Sequence, residues 1–303
     1  MKLNALAIVG ALLAAPVVAQ PIYVDTGADY GGNSNYATTT NTTGWFNEMG
    51  FAYNSWSQVT DNDSSFSASA GDTIKSSGGL LGTGFNFGAD FNSNFITALL
   101  PSQIGPDALN LGPSNNGYNS GWQLSFGFND LQGTINGLGQ VDWNSGTISF
   151  YITNTIGSCY MSNNASCFVR MFDMEVTFGG DIGNGTILTG YLDNFNTTDM
   201  FNGLAAGSLL HTKKAGVDKS FLDIHNELDG VGLKQDFSFI VDQNTQALPA
   251  AVPGSYNPVT KTFNLQKAAH SGRVSFEVPE PTSIAVLGLG LLGLGLSRRK
   301  SAK

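Results

Sequence analysis

Apolar and polar residues alternate with a period of two in five stretches of this 303-residue chain. Such alternation puts the apolar side chains on one face of an extended strand and the polar side chains on the other. The five apolar sets are Trp122, Leu124, Phe126 and Phe128; Ile148, Phe150 and Ile152; Phe172, Met174, Val176 and Phe178; Phe237, Phe239 and Val241; and Val274, Phe276 and Val278. The pattern predicts strands with one face on a core and one face toward water.

Helical periodicity is sparse by comparison. Residues 95–100, which precede Pro101, and residues 200–210 are the best helix candidates, and both are short. Clusters of Gly and Asn at 112–121 and 179–185 predict turns between the strands. We therefore predict an all-β fold, an antiparallel β-sandwich of jelly-roll type with short helices.

Composition supports one sizeable β domain. Only 12 percent of the residues are charged, while the chain has 38 Gly for turns and 20 Phe for a core. A body of about 260 residues can bury such a core in a single domain. Residues 20–60, rich in Asn, Thr and Tyr, fit either an ordered edge of the fold or a loose arm.

The first residues have the pattern of a secretory signal peptide. Lys2 is followed by an apolar stretch from Leu6 to Leu13 and by small residues that end at Ala19. This pattern predicts a signal helix over residues 1–19, with signal peptidase cleaving between Ala19 and Gln20.

The last residues have three consecutive parts. Val278-Pro279-Glu280-Pro281 comes first, and its prolines disfavour helix and favour an extended strip. An apolar run from Ile284 to Leu296 follows and predicts a short transmembrane helix, with a buried core helix as the alternative for a run of this length. Arg298, Arg299 and Lys300 come last and predict a stop on the cytoplasmic side of the membrane.

This order of parts resembles the PEP-CTERM sorting signal of Gram-negative bacteria. The resemblance implies processing by an exosortase, a transient anchor in the inner membrane, and delivery to the cell surface or the medium. Together with the N-terminal pattern and the predicted strands, it divides the chain into a signal peptide (1–19), an extracellular β-sandwich domain (20–277) and a sorting signal (278–303). In its late strands beside the motif, the body also resembles flocculation-associated members of the group.

Charge excludes one class of partner. Between Gln20 and Glu280 there are nine Lys and Arg against 23 acidic residues, a net charge of −14. A chain this acidic repels nucleic acid and anionic lipid, so we expect no nucleic acid among its partners.

Cys159 and Cys167 are the two cysteines of the chain. An even count in an exported chain, with the turn-forming Asn163-Asn164 between them, predicts a structural disulfide. Free thiols and a metal pair are the alternatives.

No catalytic motif is present in the sequence. It contains neither a Gly-x-Ser-x-Gly elbow nor a His-Glu-x-x-His pair, and histidine occurs only three times. We therefore predict a protein that is not an enzyme and has no required cofactor.

Two polar clusters nevertheless suggest cation sites. On a strand, Asp223, His225, Glu227 and Asp229 would share one face, either as a cation or acid–base site or as a solvated surface. Residues 61–65 resemble the start of a calcium loop with Asp72 at its twelfth position, but Phe66 replaces the sixth-position Gly. A simple turn is the alternative there.

Trp45 and Trp56 lie in Asn-rich surroundings and are the candidates for stacking on sugar rings, with burial in the core as the alternative.

The sequence leaves three hypotheses for the function of the protein. The first is a non-enzymatic surface or matrix protein of biofilm or flocculation, which could contact exopolysaccharide. The second is a carbohydrate-binding or calcium-assisted adhesin, and the third is a secreted glycoside hydrolase.

Overall fold

The computed structural model describes residues 20–32, 35–82, 95–100, 115–155, 167–181, 185–244 and 248–278; within 95–100, Ile96 is the one side chain described. These residues form mainly β-strands. The strands are β1 (Ile22–Val24), β2 (Glu48–Thr60), β3 (Thr73–Gly79), β4 (Phe95–Leu100), β5 (Trp122–Ile135), β6 (Val141–Asn154), β7 (Val169–Asp181), β8 (Thr186–Asp193), β9 (Met200–Phe201), β10 (Leu204–Ala205), β11 (Leu210–Lys214), β12 (Val217–Ser220), β13 (Ser238–Gln243), β14 (Thr262–Asn264) and β15 (Ala268–Glu277).

Helical structure is limited in the described part of the chain. One α-helix, α1, spans Phe221–Asp229, and 3-10 turns occupy Ala206–Ser208 and Lys234–Asp236. The α-helix begins with a capping box, in which the Ser220 hydroxyl accepts a bond from the Asp223 amide while the Asp223 carboxylate bonds back to Ser220.

Eight strands close into an antiparallel barrel. Each of β2, β3, β5, β6, β7, β8, β13 and β15 pairs with the next in this order, and β15 pairs back with β2. The order follows the chain, so the barrel is an up-and-down meander. The predicted jelly-roll sandwich is therefore wrong, although the prediction of antiparallel β structure is right.

Closure depends on the length of β2. Its residues Met49–Ser55 pair with β15 on one side, while Ser55–Thr60 pair with β3 on the other. The remaining ladder positions of β2 are taken by β4 at one end and β14 at the other. The strands β2 and β15, which would be open edges in a sandwich, are thus hydrogen-bonded to each other.

The interior of the barrel is filled mainly by aromatic and aliphatic side chains. Phe126, Phe150 and Phe172 lie opposite one another in register on three neighbouring strands, and the rings of Phe150 and Phe172 stack with centroids 5.3 Å apart. An eight-stranded barrel leaves just enough room for its side chains or for one small ligand.

Helix α1 covers one end of the barrel. The rings of Phe172 and Phe276 approach to 6.3 Å although β7 and β15 are not neighbours, so they meet across the interior. Phe221 of α1 packs against Phe276 at 5.3 Å and against Phe237 at 4.8 Å. The apolar side of the helix therefore extends the core beyond the strands.

The strand directions define two ends of the barrel. At the terminal end, β2 begins at Glu48 and β15 finishes at Glu277. The N-terminal segment lies on this side too, because β1 pairs with β11 and the Gln20 amide donates to the Phe276 carbonyl at 3.3 Å. Residues 20–24 are therefore an ordered edge. The distal end is opposite and carries the loops 61–72 and 136–140 and the segment 248–267.

The five predicted strands are confirmed as β5, β6, β7, β13 and β15. One position departs from the predicted pattern. A register shift between Val176 and Phe178 changes the alternation, and Phe178 is 64 percent exposed although Phe172 is fully buried. A bulge of this kind turns the following side chain to the opposite face of the sheet.

The predicted helices are wrong. Residues 95–100 form β4, because β2 offers them a free ladder edge. Residues 200–210 form the β9–β10 hairpin, a 3-10 turn and the start of β11. Residues 223–229, predicted as a strand, lie instead in α1.

The predicted signal helix (1–19), Cys159 and the sorting signal beyond Val278 lie outside the described residues, as does the predicted membrane helix over 284–296. The disulfide between Cys159 and Cys167 therefore stays a prediction.

Within the part of the chain that the structure describes, no helix has the length and apolar character needed to cross a membrane.

Candidate functional site

A groove of about 530 Å³ lies on the outer wall of the barrel beside Trp56. We call it the Trp56 groove. Strand β2 contributes Trp56 and Gln58, and β3 contributes Lys75 and Ser77. Trp56 pairs with Ser77 and Gln58 pairs with Lys75 in the antiparallel register, so these side chains are cross-strand neighbours.

The opposite side of the Trp56 groove comes from the segment that carries β14. Asn264 pairs with Gln58, and the Gln58 amide donates to the Asn264 side-chain oxygen at 3.3 Å. Val252, Leu265 and Lys267 complete this side, and Asn129 adds a further amide from β5.

The Trp56 indole is half-buried and held from two directions. Lys267 Nζ lies over the ring, 6.0 Å from its centroid. Gly82 packs against the indole so closely that a Cβ there would lie 2.3 Å from the ring atom Cζ3. A side chain at position 82 would therefore displace the indole.

The Trp56 groove combines an aromatic ring with several amides, serine hydroxyls and two ammonium groups. Rings offer a flat apolar surface, amides and hydroxyls donate and accept hydrogen bonds, and ammonium groups attract carboxylates. These are the contacts that a hydroxylated ring with acidic substituents needs. Among the described residues that line the groove there is no Asp or Glu.

Trp45, the other candidate for sugar stacking, lies elsewhere. Its ring meets Tyr23 edge-on at 4.8 Å, and Lys213 Nζ sits 5.2 Å from its centroid. These neighbours belong to β1 and β11 at the terminal end of the barrel. The two tryptophans thus do not form one platform.

The four polar residues from Asp223 to Asp229 do not converge as the strand prediction required. On α1, Asp223 is used by the capping box, while Glu227 forms ion pairs with Lys214, at 3.2 Å, and with Lys219. Asp229 is exposed at the last turn of the helix. Successive alternate positions on a helix point in different directions, so the shared face is lost.

His225 is buried on the inner side of α1 and tilted against Phe195, with ring centroids 4.9 Å apart. Its Nε2 lies 3.7 Å from Asp193 Oδ1. Burial lowers the pKa of His225, and the nearby Asp193 charge offsets part of that effect. Burial alone would raise the pKa of Asp193, but the hydrogen bond and charge of Lys234 bring it below its usual value. These contacts anchor the helix.

The loop 61–72, which resembles the start of a calcium loop in sequence, does bring carboxylates together. Ligand atoms of Asp61, Asp63 and Asp72 all lie within 4.8 Å of one another, with Asp61 and Asp72 buried. Such oxygens suit a hard cation. They also hold the loop itself, because Asp61 accepts from the amides of Ser65 and Phe66, at 3.1 and 3.0 Å.

Asp72 also accepts hydrogen bonds from backbone amides, on the other side of this loop. Its carboxylate accepts from the Asn62 amide at 2.8 Å and from the Ser69 amide at 2.9 Å. The acidic cluster therefore has a structural role within the loop itself.

A second cavity lies inside the distal half of the barrel, with a volume of about 70 Å³. We call it the lumen cavity. Three hydrogen-bonded pairs line it: Tyr53 OH to Gln243 Oε1 at 2.7 Å, Ser55 Oγ to His270 Nε2 at 2.8 Å, and Ser57 Oγ to Ser76 Oγ at 2.6 Å. Sequence reasoning missed these residues. The signal was the alternation of Tyr53, Ser55, Ser57 and Val59, which mixes polar residues into an inward face.

Residues 277–300 match the family model of the PEP-CTERM protein-sorting motif. The chain carries a PEP-CTERM sorting signal. The signal implies that an exosortase processes the protein and that it is exported to the cell surface or beyond. No curated protein and no solved structure matches the chain significantly.

The PEP-CTERM signal starts directly at the folded body. Glu277 is the last residue of β15, and its carboxylate accepts a bond from the Ser238 hydroxyl at 3.1 Å. Val278 is still buried. The predicted sorting motif, from Val278 to Pro281, thus begins as the barrel ends.

Proposed function

We propose that this exported protein is a non-enzymatic component of the cell surface or extracellular matrix that binds polysaccharide in the Trp56 groove. In this role it would act in biofilm formation or flocculation. The observation that carries the proposal is the Trp56 groove itself, with its indole, amides and ammonium groups gathered on one outer wall.

The shape and chemistry of the groove favour a sugar chain. The groove is on the outside of the barrel, so a polymer can run along it without threading through a closed site. Gln58, Asn129 and Asn264 offer hydrogen-bonding groups to hydroxyls, and Trp56 offers an apolar face to a ring.

Charge favours an acidic polysaccharide. The body carries nine Lys and Arg for a net charge of −14, yet Lys75 and Lys267 both line this one groove. Local positive charge on an acidic protein marks a place where a polyanion can approach. We therefore propose a uronate-containing or otherwise acidic exopolysaccharide.

The topology presents the groove away from the sorting signal. Gln58 and Asn264 pair near the end of β2 at Thr60, on the distal side, while the PEP-CTERM signal leaves from the terminal end. A protein held or released at its C-terminus would therefore expose the groove outward.

A binding experiment with purified exopolysaccharide tests the proposal. We expect Trp56→Ala to weaken binding about tenfold, which corresponds to about 1.4 kcal/mol. Trp45→Ala is the matched control, because Trp45 also lies beneath a lysine but outside the groove. Equal binding by wild type and Trp56→Ala would contradict the assignment of the groove.

Two further measurements examine charge and catalysis. The double variant Lys75→Gln/Lys267→Gln should bind acidic polysaccharide more weakly and with less dependence on salt, since fewer charges are screened. Prolonged incubation should release no reducing ends from the polysaccharide. Release of reducing ends would instead support the hydrolase hypothesis.

The cellular role needs a separate test. A deletion strain should flocculate less and retain less matrix polysaccharide, and the wild-type gene should restore both properties while the Trp56→Ala gene should not. Unchanged aggregation and matrix content in the deletion strain would count against the role in biofilm or flocculation.

A further inference from the structure

The interior of the barrel contains two adjacent layers of side chains, an apolar layer toward the terminal end and a polar layer toward the distal end. Phe51, Phe126, Ile148 and Met174 line the apolar layer, toward the terminal end. Nearer the distal end, the three hydrogen-bonded pairs of the lumen cavity take the inward positions. Burying so many polar groups costs free energy unless each is satisfied, and an apolar filling would be simpler.

The lumen cavity is large enough for a small molecule. A buried water needs about 10–15 Å³ of such space, so about 70 Å³ corresponds to roughly five waters or a ligand of similar size. Eight-stranded barrels elsewhere use this same interior for single small ligands. Gln140, Trp143 and Leu248 line the cavity from the distal end.

The lining restricts the charge of a ligand. Among the described residues that line the cavity, Asp181 carries the one full charge, and there is no Lys or Arg. His270 adds no positive charge at neutral pH, since burial lowers its pKa to about 4. An anionic molecule would enter without a counter-charge and beside a carboxylate, which disfavours it strongly.

The lining also restricts the functional groups of a ligand. Serine hydroxyls and the Gln243 amide can both donate and accept hydrogen bonds, and Phe128 and Trp143 provide apolar ring surface. A hydroxyl group of a ligand can also donate and accept. It can therefore bond to a serine hydroxyl or to the Gln243 amide whichever of the two groups acts as donor.

We propose that the lumen cavity binds one small, uncharged, hydroxylated group, either a free polyol or the hydroxylated end of a larger neutral saccharide. This site is separate from the Trp56 groove and, unlike the groove, has no lysine or arginine among its described lining residues to hold an anion. It does not depend on the proposed function.

Calorimetric titration of the exported protein tests the site with four probes: glycerol, glucose, glucuronate and a neutral trisaccharide. We expect binding of glycerol or glucose with a stoichiometry of one, and binding of glucuronate at least about tenfold weaker than glucose. Binding of glycerol identifies a free polyol as the ligand, whereas binding of the trisaccharide without glycerol identifies a chain end. Failure of all neutral probes to bind at tens of millimolar overturns the proposal.

Two variants locate the binding. Tyr53→Phe/Gln243→Leu removes one hydrogen-bonded pair with little change in shape, a replacement that proteins tolerate well. Ala268→Leu adds bulk to the lining. Both should weaken binding of the neutral probe about tenfold or more. If Ala268→Leu fails to fold, the double variant alone decides, because unchanged binding there overturns the assignment.

Trp56→Ala separates this site from the proposed function. It should leave the affinity for the neutral probe unchanged while it weakens binding of acidic polysaccharide. Loss of both activities in Trp56→Ala would mean that there is one site, the Trp56 groove, and would overturn the lumen assignment.

Discussion

Inside the barrel, the Ser55 hydroxyl lies 2.8 Å from Nε2 of His270, whose ring stacks on Tyr53 with centroids 4.7 Å apart. The other ring nitrogen, Nδ1, is buried and has no hydrogen-bond partner among the residues that the structure describes. A charged imidazole would be poorly solvated in this position, so burial lowers the pKa of His270 from its ordinary 6.5 to about 4.

The lowered pKa of His270 predicts a loss of stability in acid. Between pH 6.5 and 4 the unfolded chain binds a proton at His270 and the folded chain does not, so the free energy of unfolding falls as the pH falls. Uncharged His270 contributes up to about 3 kcal/mol to the free energy of unfolding. This contribution is complete above pH 6.5 and is lost progressively as the pH falls toward 4. Urea unfolding at several pH values measures it.

His270→Gln is the matched variant, because its amide can reach Ser55 but does not titrate. Its stability should depend less on pH over the same interval. Some dependence should remain, since burial also lowers the pKa values of His211 and His225. Identical pH profiles of wild type and His270→Gln would show that His270 is not the responsible group.

The bulge in β7 predicts opposite results for two phenylalanines that share one sequence pattern. Phe172→Ala should cost about 3–5 kcal/mol, because it opens a cavity among the rings of Phe150, Phe221 and Phe276. Phe178→Ala should change stability by less than about 0.5 kcal/mol, since Phe178 is 64 percent exposed. Chemical denaturation compares them, and a large loss at Phe178 would place it in the core instead.

Sequence reasoning found the strands but not their closure. Period-two alternation identifies a half-buried strand wherever it occurs, and it identified β5, β6, β7, β13 and β15. It says nothing about whether the first and last strands pair with each other. A sandwich and a barrel share the same alternation, and the difference lies in the long-range pairing of Met49 with Val274.

The helix α1 was misread for a specific reason. Leu222, Ile224 and Leu228 alternate with polar residues as in a strand, but the buried positions are Phe221, Ile224, His225 and Leu228, which follow the helical spacing. The signal for a helix was the capping pair Ser220 and Asp223.

Part of the candidate site was visible in the sequence and part was not. Trp56 was a candidate from its residue type and surroundings. Its partners Lys75, Asn264 and Lys267 lie elsewhere in the chain, and the pairing of β2 with β3, β14 and β15 brings them to the groove. The lumen pairs likewise join β2 to β15, β13 and β3.

The acidic loop at the distal end predicts a stability effect at Asp72. Asp72→Asn removes a charged acceptor of the Asn62 and Ser69 amides and should cost about 1–3 kcal/mol without any added metal. Asp63→Asn is the control on the same loop, and because Asp63 is exposed the loss should be smaller. Thermal unfolding compares them, and equal losses would contradict the structural role of Asp72.

The capping box of α1 predicts a second local effect. Ser220→Ala removes the acceptor of the Asp223 amide and should cost about 1 kcal/mol. Asp229→Ala, in the last turn of the same helix, should be neutral or slightly stabilising, because an acidic residue there opposes the helix dipole. If both changes had the same effect in urea denaturation, the cap would not be what holds the start of the helix.

The junction between the barrel and the PEP-CTERM signal predicts how processing depends on the prolines. Pro279 directly follows Val278, which is buried at the end of the fold, and Pro281 comes two residues later. Replacing both prolines by alanine would allow the segment to become helical instead of extended, so we expect unprocessed protein to accumulate in the cells. The control Pro253→Ala changes a proline of the distal segment and should be processed normally. Immunoblots of cell and medium fractions measure processing, and normal release of the double variant would show that the extended segment is not what the exosortase requires.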